Sequence, residues 1–152
     1  MRDEVKTIAT NRKAYHDYAI EDRFEAGIVL TGTEIKSIRA GAVNLRDSYA
    51  RIAGGEVWLE GMHVSPYEHG TRYSPPAKRE RKLLLHRREI AKLQSKVEEK
   101  GYTLVPLRIY LKGSRAKVEL ALARGQRQYD KRAAIAQRES DREVQRALRD
   151  RE

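Results

Sequence analysis

The side chains best equipped for chemistry in this chain are its cations. Lys and Arg number 32 against 22 Asp and Glu, a formal net charge of +10 over 152 residues. A basic excess of this size on a small chain is the electrostatic footprint of a polyphosphate partner, because each neutralised phosphate releases condensed counterions. The cations fall in three settings. Lys112-Gly113-Ser114-Arg115 reads as a basic hairpin turn. Arg87, Arg88, Lys92, Lys96 and Lys100 share one helical face, a pattern that solvation alone also explains. Arg124 to Glu152 carries nine Arg or Lys against six Asp or Glu. Other chemistries lack their reagents. With no cysteine there is no thiolate nucleophile, disulfide or cysteine-based zinc site. His16, His63, His69 and His86 do not pair at metal-ligand spacing, and no carboxylate cluster accompanies them. The acids stand singly or beside basic residues, whereas metal-dependent nuclease chemistry needs them clustered. These residue types point to a nucleic-acid-binding protein, not an enzyme, with no metal and no cofactor. The longest apolar run falls far short of the roughly 20 residues of a membrane helix. The first residues, MRDEVKTIATNRK, lack an apolar signal core, so a cytoplasmic protein is expected.

The elements that must position these cations are mostly strands. Met1 to Lys13 is polar, and flexibility is expected up to about Thr7. His16, Tyr18 and Ile20 alternate with polar neighbours, as in a half-exposed strand. Glu25 to Leu30 is a second apolar pulse, in which Gly27 marks a bulge or a close backbone approach. Thr31-Gly32-Thr33-Glu34 fits a capping box, Ile35 and Ile38 share a helical face, and Gly41 stands where a short helix would end. Ser48 to Ile52 and Glu56 to Glu60 flank Ala53-Gly54-Gly55, a hairpin signal. Ser65 to Lys78 holds Pro66, Pro75, Pro76 and Gly70, as an exposed irregular loop would. Leu83, Ile90, Leu93 and Val97 build one apolar stripe, which predicts a helix from Lys82 to Lys100 capped by Gly101. Leu104 to Leu111 and Lys117 to Ala123 alternate as strands on either side of the basic turn. Pro106 must lie at a strand start, an edge or a bulge, since it has no amide to donate.

About six short strands, one longer helix and one short helix predict a mostly β fold. The favoured form is a small antiparallel OB-like barrel with two or three accessory helices; a β-sandwich is the alternative. The barrel occupies residues 1–123 and a basic C-terminal segment residues 124–152. That segment is rich in Ala, Arg, Gln and Glu, lacks proline and has little to bury. It should be loose alone and helical against a partner. A helix over residues 133–151 would be about 28 Å long. Its i,i+3 pairs, Glu139 with Arg142 and Glu143 with Arg146, are offset by like charges at i,i+4, which leaves the isolated helix marginal.

The blocks TIATNRKAYHDYAIEDRFEAGIVLTGTEIKSIRAG, NLRDSYARI, KLLLHRREI and ARGQRQYDKR, in this order, resemble the SmpB family, the SsrA-binding proteins of bacteria. The resemblance covers nearly the whole chain. It implies an OB-like barrel with accessory helices, no catalytic activity, and delivery of transfer-messenger RNA (tmRNA) to ribosomes stalled on messages without a stop codon. It implies that Asn11, Glu25 and Leu84 grip the tRNA-like domain of that RNA. Gly125, Asp130, Lys131 and Arg132 would act on the small ribosomal subunit, and Tyr129 would stack on a base in the decoding centre. Arg138 and Arg142 belong to the part of the tail that would lie on rRNA in the empty mRNA channel. EF-Tu and alanyl-tRNA synthetase would be met only through tmRNA, and a monomer is expected. One departure stands out: Ser140 occupies a place where some family members carry Trp, so no stacking role carries over there.

Residue chemistry leaves several of these roles open. Asn11 can read a base edge or a ribose, or simply serve a turn. Arg12 and Lys13 suit phosphates. His16 and Tyr18 offer stacking surface, although one of them can instead line the barrel. Glu25 would repel phosphate, so it either accepts from a guanine edge or positions a neighbouring Arg. Leu83, Leu84 and Leu85 cannot all face inward on a helix, which leaves at least one for an exposed apolar contact. On composition alone, a generic RNA-binding or ribosome-associated protein fits as well.

Overall fold

A computed structural model describes residues 4–67, 74–99 and 101–125. Its first element was not expected. β1 (Val5–Thr10) pairs antiparallel with a later strand although four of its six residues are exposed. Backbone hydrogen bonds hold it, with only Ile8 and Ala9 packing inward across a register shift. A ladder leaves no periodic signature in so polar a sequence.

α1 (Arg12–Asp17) replaces the strand read at His16. Asn11 explains the difference: its Oδ1 accepts from the Ala14 amide at 3.3 Å, which starts a helix, and Ala14 is then buried. Extended structure begins at Tyr18. β2 (Tyr18–Ile28) is one strand of 11 residues, not two pulses, and its bulge lies between Ile20 and Asp22. Gly27 is the close approach: a Cβ there would meet Leu84 Cβ at 3.3 Å.

α2 (Gly32–Arg39) carries the expected capping box, with Thr31 and Glu34 each accepting the other's amide. β3 (Val43–Asn44) pairs with β6 (His63–Val64) as a small separate ribbon. Between them, β4 (Tyr49–Ala53) and β5 (Glu56–Glu60) form the expected hairpin. Gly54 and Gly55 have φ of +62° and +73°, the left-handed pair that a tight hairpin loop demands.

β7 (Arg81–Leu84) corrects the helix expected from Lys82. Leu83 lies opposite Val57 on one side and Ile28 on the other, and it completes the barrel wall. The helix, α3 (Arg87–Val97), begins after His86, whose amide is held by Glu89 at 3.0 Å. Leu93 is buried, with Ile90 and Val97 packed on the same core, so the apolar stripe is as expected from Ile90 onward. Lys100 lies outside the described residues.

β8 (Tyr102–Lys112) and β9 (Arg115–Gly125) form the long hairpin around the basic turn. Pro106 sits at a register shift, as its missing amide requires. The shift changes which face each side chain takes. Leu104 and Ile109, five residues apart, both enter the main core, while Val105 and Leu107 face the other way.

Strand order β8-β4-β5-β7-β2-β9, closed by β8–β9, makes an antiparallel ring, and β1 extends it alongside β8. This is the OB-like barrel, not a sandwich. Val57, Leu59, Leu83, Leu104, Ile109, Val118, Leu120 and Leu122 fill it. A second cluster, Ala14, Val105, Leu107, Ala121 and Ala123, packs α1 on the outer wall of β8 and β9.

Candidate RNA interface

β2 strings the expected RNA contacts into two groups. At its start lies α1 with Asn11, Arg12, Lys13 and His16, followed by Tyr18. Seven residues on, about 23 Å along an extended strand, is Glu25. Leu84 belongs with Glu25, because it pairs with Gly27, two residues further.

In the first group, Asn11 is buried and its side chain is committed. Besides capping α1, its Nδ2 donates to the Pro106 carbonyl at 2.9 Å, and its own amide donates to Leu107 at 2.7 Å. The carboxamide thus ties α1 to the Pro106 bulge. Arg12 is exposed. Lys13 is paired with Asp47 at 2.7 Å. That bond, foremost among the causes, draws the Asp47 carboxyl below its usual range. His16 is exposed beside Asp17, at 3.0 Å. Tyr18 does not line the barrel interior: it packs against the second apolar cluster on the outer wall. A shallow cleft of about 240 Å³ opens here between Lys13, Asp17, Tyr18, Asp47 and Tyr49. Tyr18 also lies opposite Gly125, the last described residue, so β9 ends beside α1.

The second group is an outward-facing polar grid. Glu25 accepts from the Tyr110 hydroxyl and from Lys112 Nζ at 3.3 Å. The Tyr110 bond, outweighing burial, together with Lys112 holds the Glu25 carboxyl below its usual range. Tyr110 responds in the opposite sense: burial first, then the Glu25 carboxylate, pushes its phenol well up, so it remains a neutral donor. Arg108 stacks over the Tyr110 ring at 4.3 Å and donates to Glu119 at 3.0 Å. Glu25 and Glu119 are direct cross-strand neighbours, and the cations around them offset a repulsion that would otherwise destabilise the pair. Glu25 is thus bonded to Tyr110 and Lys112, and not to the Arg expected beside it.

Leu84 is half exposed, at 50%, whereas Leu83 is buried and Leu85 partly so. The expected exposed leucine is present, on a strand instead of a helix. It borders a groove of about 550 Å³ with Gly55, Lys82, Arg87, Ile90 and Gln94. Tyr110, Lys112 and Arg108 escaped sequence reasoning as Glu25's surroundings. Their alternation with core residues on β8 was legible, but the meeting of Tyr110 and Lys112 with Glu25 on β2 depends on register across β9. Among the described residues, no group of three or more His, Asp or Glu is placed to hold a metal ion. No helix among them is long and apolar enough to cross a membrane.

The family model described as SmpB protein matches residues 8–150. The SsrA-binding protein of Carboxydothermus hydrogenoformans is 60% identical over 144 residues, 95% of this chain and 97% of that one. The chain belongs to the SmpB family. The SsrA-binding protein of Geobacillus kaustophilus is 58% identical over 151 residues, covering 99% and 97% of the two chains. A solved chain described as "tmRNA-SmpB: a journey to the center of the bacterial ribosome" superposes with a TM-score of 0.69. It is 49% identical and covers 84% of this chain and 93% of that one. Family membership extends past β9, where Tyr129, Asp130, Lys131, Arg132, Arg138, Ser140 and Arg142 lie outside the described residues.

Proposed function

We propose that this chain is a tmRNA-binding adaptor of trans-translation. It binds the tRNA-like domain of tmRNA and delivers it to stalled ribosomes. The observation that carries this reading is the 58–60% identity to SsrA-binding proteins over nearly the full length, C-terminal segment included. The basic surface agrees with it, since folded RNA is recognised by phosphates, shape and unstacked bases.

Within that reading the body grips RNA through Arg12, Lys13 and His16 on α1 and through the Glu25 grid and Leu84. Asn11 and Tyr18 hold α1 in place for them. β9 ends at Gly125, beside α1, and the basic segment starting there reaches the decoding centre through Tyr129, Asp130, Lys131 and Arg132. Arg138 and Arg142 follow rRNA along the empty mRNA channel, and the helix forms on that surface. EF-Tu and alanyl-tRNA synthetase act on the complex through tmRNA. The protein is a cytoplasmic monomer without catalytic activity.

The test separates binding from rescue. Removing residues 126–152 leaves affinity for the isolated tRNA-like domain within about threefold and abolishes peptide tagging on stalled ribosomes. Parallel loss of both activities would show that the two parts do not divide the work.

A further inference from the structure

The basic turn between β8 and β9 gathers four cations. Lys112 and Arg115 face each other across the loop, and Lys117 follows two residues along β9. Arg39 joins them from α2 by donating to the Ser114 carbonyl at 3.3 Å. Fewer acids stand near. Glu25 holds Lys112 at 3.3 Å, and Glu4 flanks the turn, its carbonyl accepting from the Gly113 amide at 3.0 Å. Arg115, Lys117 and Glu119 alternate with the buried Ala116 and Val118, so all three face outward. Glu119 is shared by Arg23 at 3.4 Å and Arg108 at 3.0 Å. Arg115 and Lys117 form no ion pair among the described residues. Glu25, held down first by its Tyr110 bond, feels Lys117 only through space. The opposite wall of the ring is the contrast. On either side of Trp58, Arg51 is held by Glu60 and Glu80, and Lys82 by Glu56.

Given the adaptor function proposed above, we propose that Arg115 and Lys117, with Arg39 beside them, bind successive phosphates of the tRNA-like domain next to the Glu25 grid. The grid commits its own cations to its two carboxylates, and a carboxylate repels phosphate. The turn supplies what the grid lacks. An uncommitted cation displaces a phosphate's counterions without first breaking a bond of its own. Residues two apart on a strand stand about 7 Å apart, close to the step between neighbouring phosphates of one RNA strand. Arg115 and Lys117 can therefore meet adjacent phosphates in turn. An open hollow of about 440 Å³, lined by Glu25, Lys112, Ser114, Arg115 and Lys117, gives the backbone room. Position matters as much as charge. Lys117 pairs with Gly27 of β2, whereas α1 joins β2 at Tyr18. Nine residues of strand, about 30 Å, separate the two. Phosphate contacts at α1 alone would leave the RNA free to swivel; a second set this far away fixes its direction along β2.

Binding of the full chain to the isolated tRNA-like domain, measured across a salt series, tests this. R115Q/K117Q, checked for unchanged melting, should lower affinity about tenfold at about 0.15 M salt. It should also reduce the slope of log affinity against log salt by about 1.4–1.8, as two lost phosphate contacts require. R115K/K117R should keep the wild-type slope. R115Q and K117Q singly should each take about half the loss, so the test stands even if the double variant folds poorly. Adding R12A should cut the slope by about one more, because its phosphate is a different one. Unchanged affinity and slope in R115Q/K117Q, while wild type still prefers the tRNA-like domain to an unrelated hairpin RNA, would overturn the proposal and leave the adaptor function intact. So would a loss seen only in binding to ribosomes, which would put rRNA at the turn. A wild type without preference for the tRNA-like domain would overturn the adaptor function, and this role of the turn with it.

Discussion

Glu34 is the side chain on which most of the irregular part of the molecule converges. It is buried together with Arg81, which it meets at 2.6 Å, and Arg79 reaches its other oxygen at 2.5 Å. Arg81 in turn donates to the carbonyls of Met62 at 2.8 Å and Ala77 at 3.0 Å, so one carboxylate anchors α2 to two distant loops. Removing one partner of such a pair leaves a charge buried and unmatched. Glu34→Ala should therefore cost about 3–5 kcal/mol in urea unfolding. The same groups set the response to acid. Burial alone would raise the Glu34 carboxyl, but Arg79, the Thr31 amide and Arg81 together pull it below its ordinary value of 4.5. Glu25 is lowered too, chiefly by Tyr110. A carboxyl depressed in the folded state binds fewer protons there than in the unfolded chain. Its contribution is complete above pH 4.5 and is lost as pH falls through the lower folded values. Stability measured between pH 7 and pH 3 should hold level and then fall below about 4.5, and E25Q should fall less steeply there.

At the scale of elements, α1 depends on contacts made far away in sequence. Six residues are too few for a stable helix in water, so its capping and its packing on Val105, Leu107 and Ala123 decide that it forms. Asn11→Ala removes the cap and leaves the buried Pro106 carbonyl without its donor, for an expected loss of about 2–3 kcal/mol. Because α1 carries Arg12, Lys13 and His16, the same change should weaken tRNA-like-domain binding without touching a contact to RNA. Asn11→Asp keeps the cap acceptor but not the donor, and should fall between wild type and Asn11→Ala in chemical denaturation. The β4–β5 hairpin behaves differently, since Gly54-Gly55 prescribes its turn locally. The β8–β9 hairpin is local as well, but its bulge at Pro106 decides which side chains enter the barrel and which receive α1.

For the whole molecule, the net charge of +10 makes RNA binding a salt-dependent equilibrium. The logarithm of affinity for the tRNA-like domain should fall linearly with the logarithm of salt, with a slope of about −0.7 to −0.9 for each phosphate neutralised. Arg12→Ala should reduce that slope by about one, and E60Q on the opposite wall should leave it unchanged. Equal slopes for wild type and Arg12→Ala would remove α1 from the RNA interface. What the sequence by itself determined was whatever depends on near neighbours or on totals. That includes the polyphosphate partner from charge, the Thr31 capping box, the glycine turn at 54–55, the alternation of β8 and β9, and through four conserved-order blocks the family. Leu83 shows where that ends. Its spacing to Ile90 suits a helix, yet pairing with Val57 and Ile28 makes it a strand. Only the tertiary structure decided β1, α1, the committed role of Asn11, and the ion pairs that flank Trp58. Each rests on partners far along the chain: Asn11 and Pro106 are 95 residues apart, Glu25 and Tyr110 are 85, and Glu34 and Arg81 are 47. Turn chemistry and helix capping act within a few residues and leave a local signature. Strand register and buried ion pairing come from closing the barrel, which no window of sequence contains.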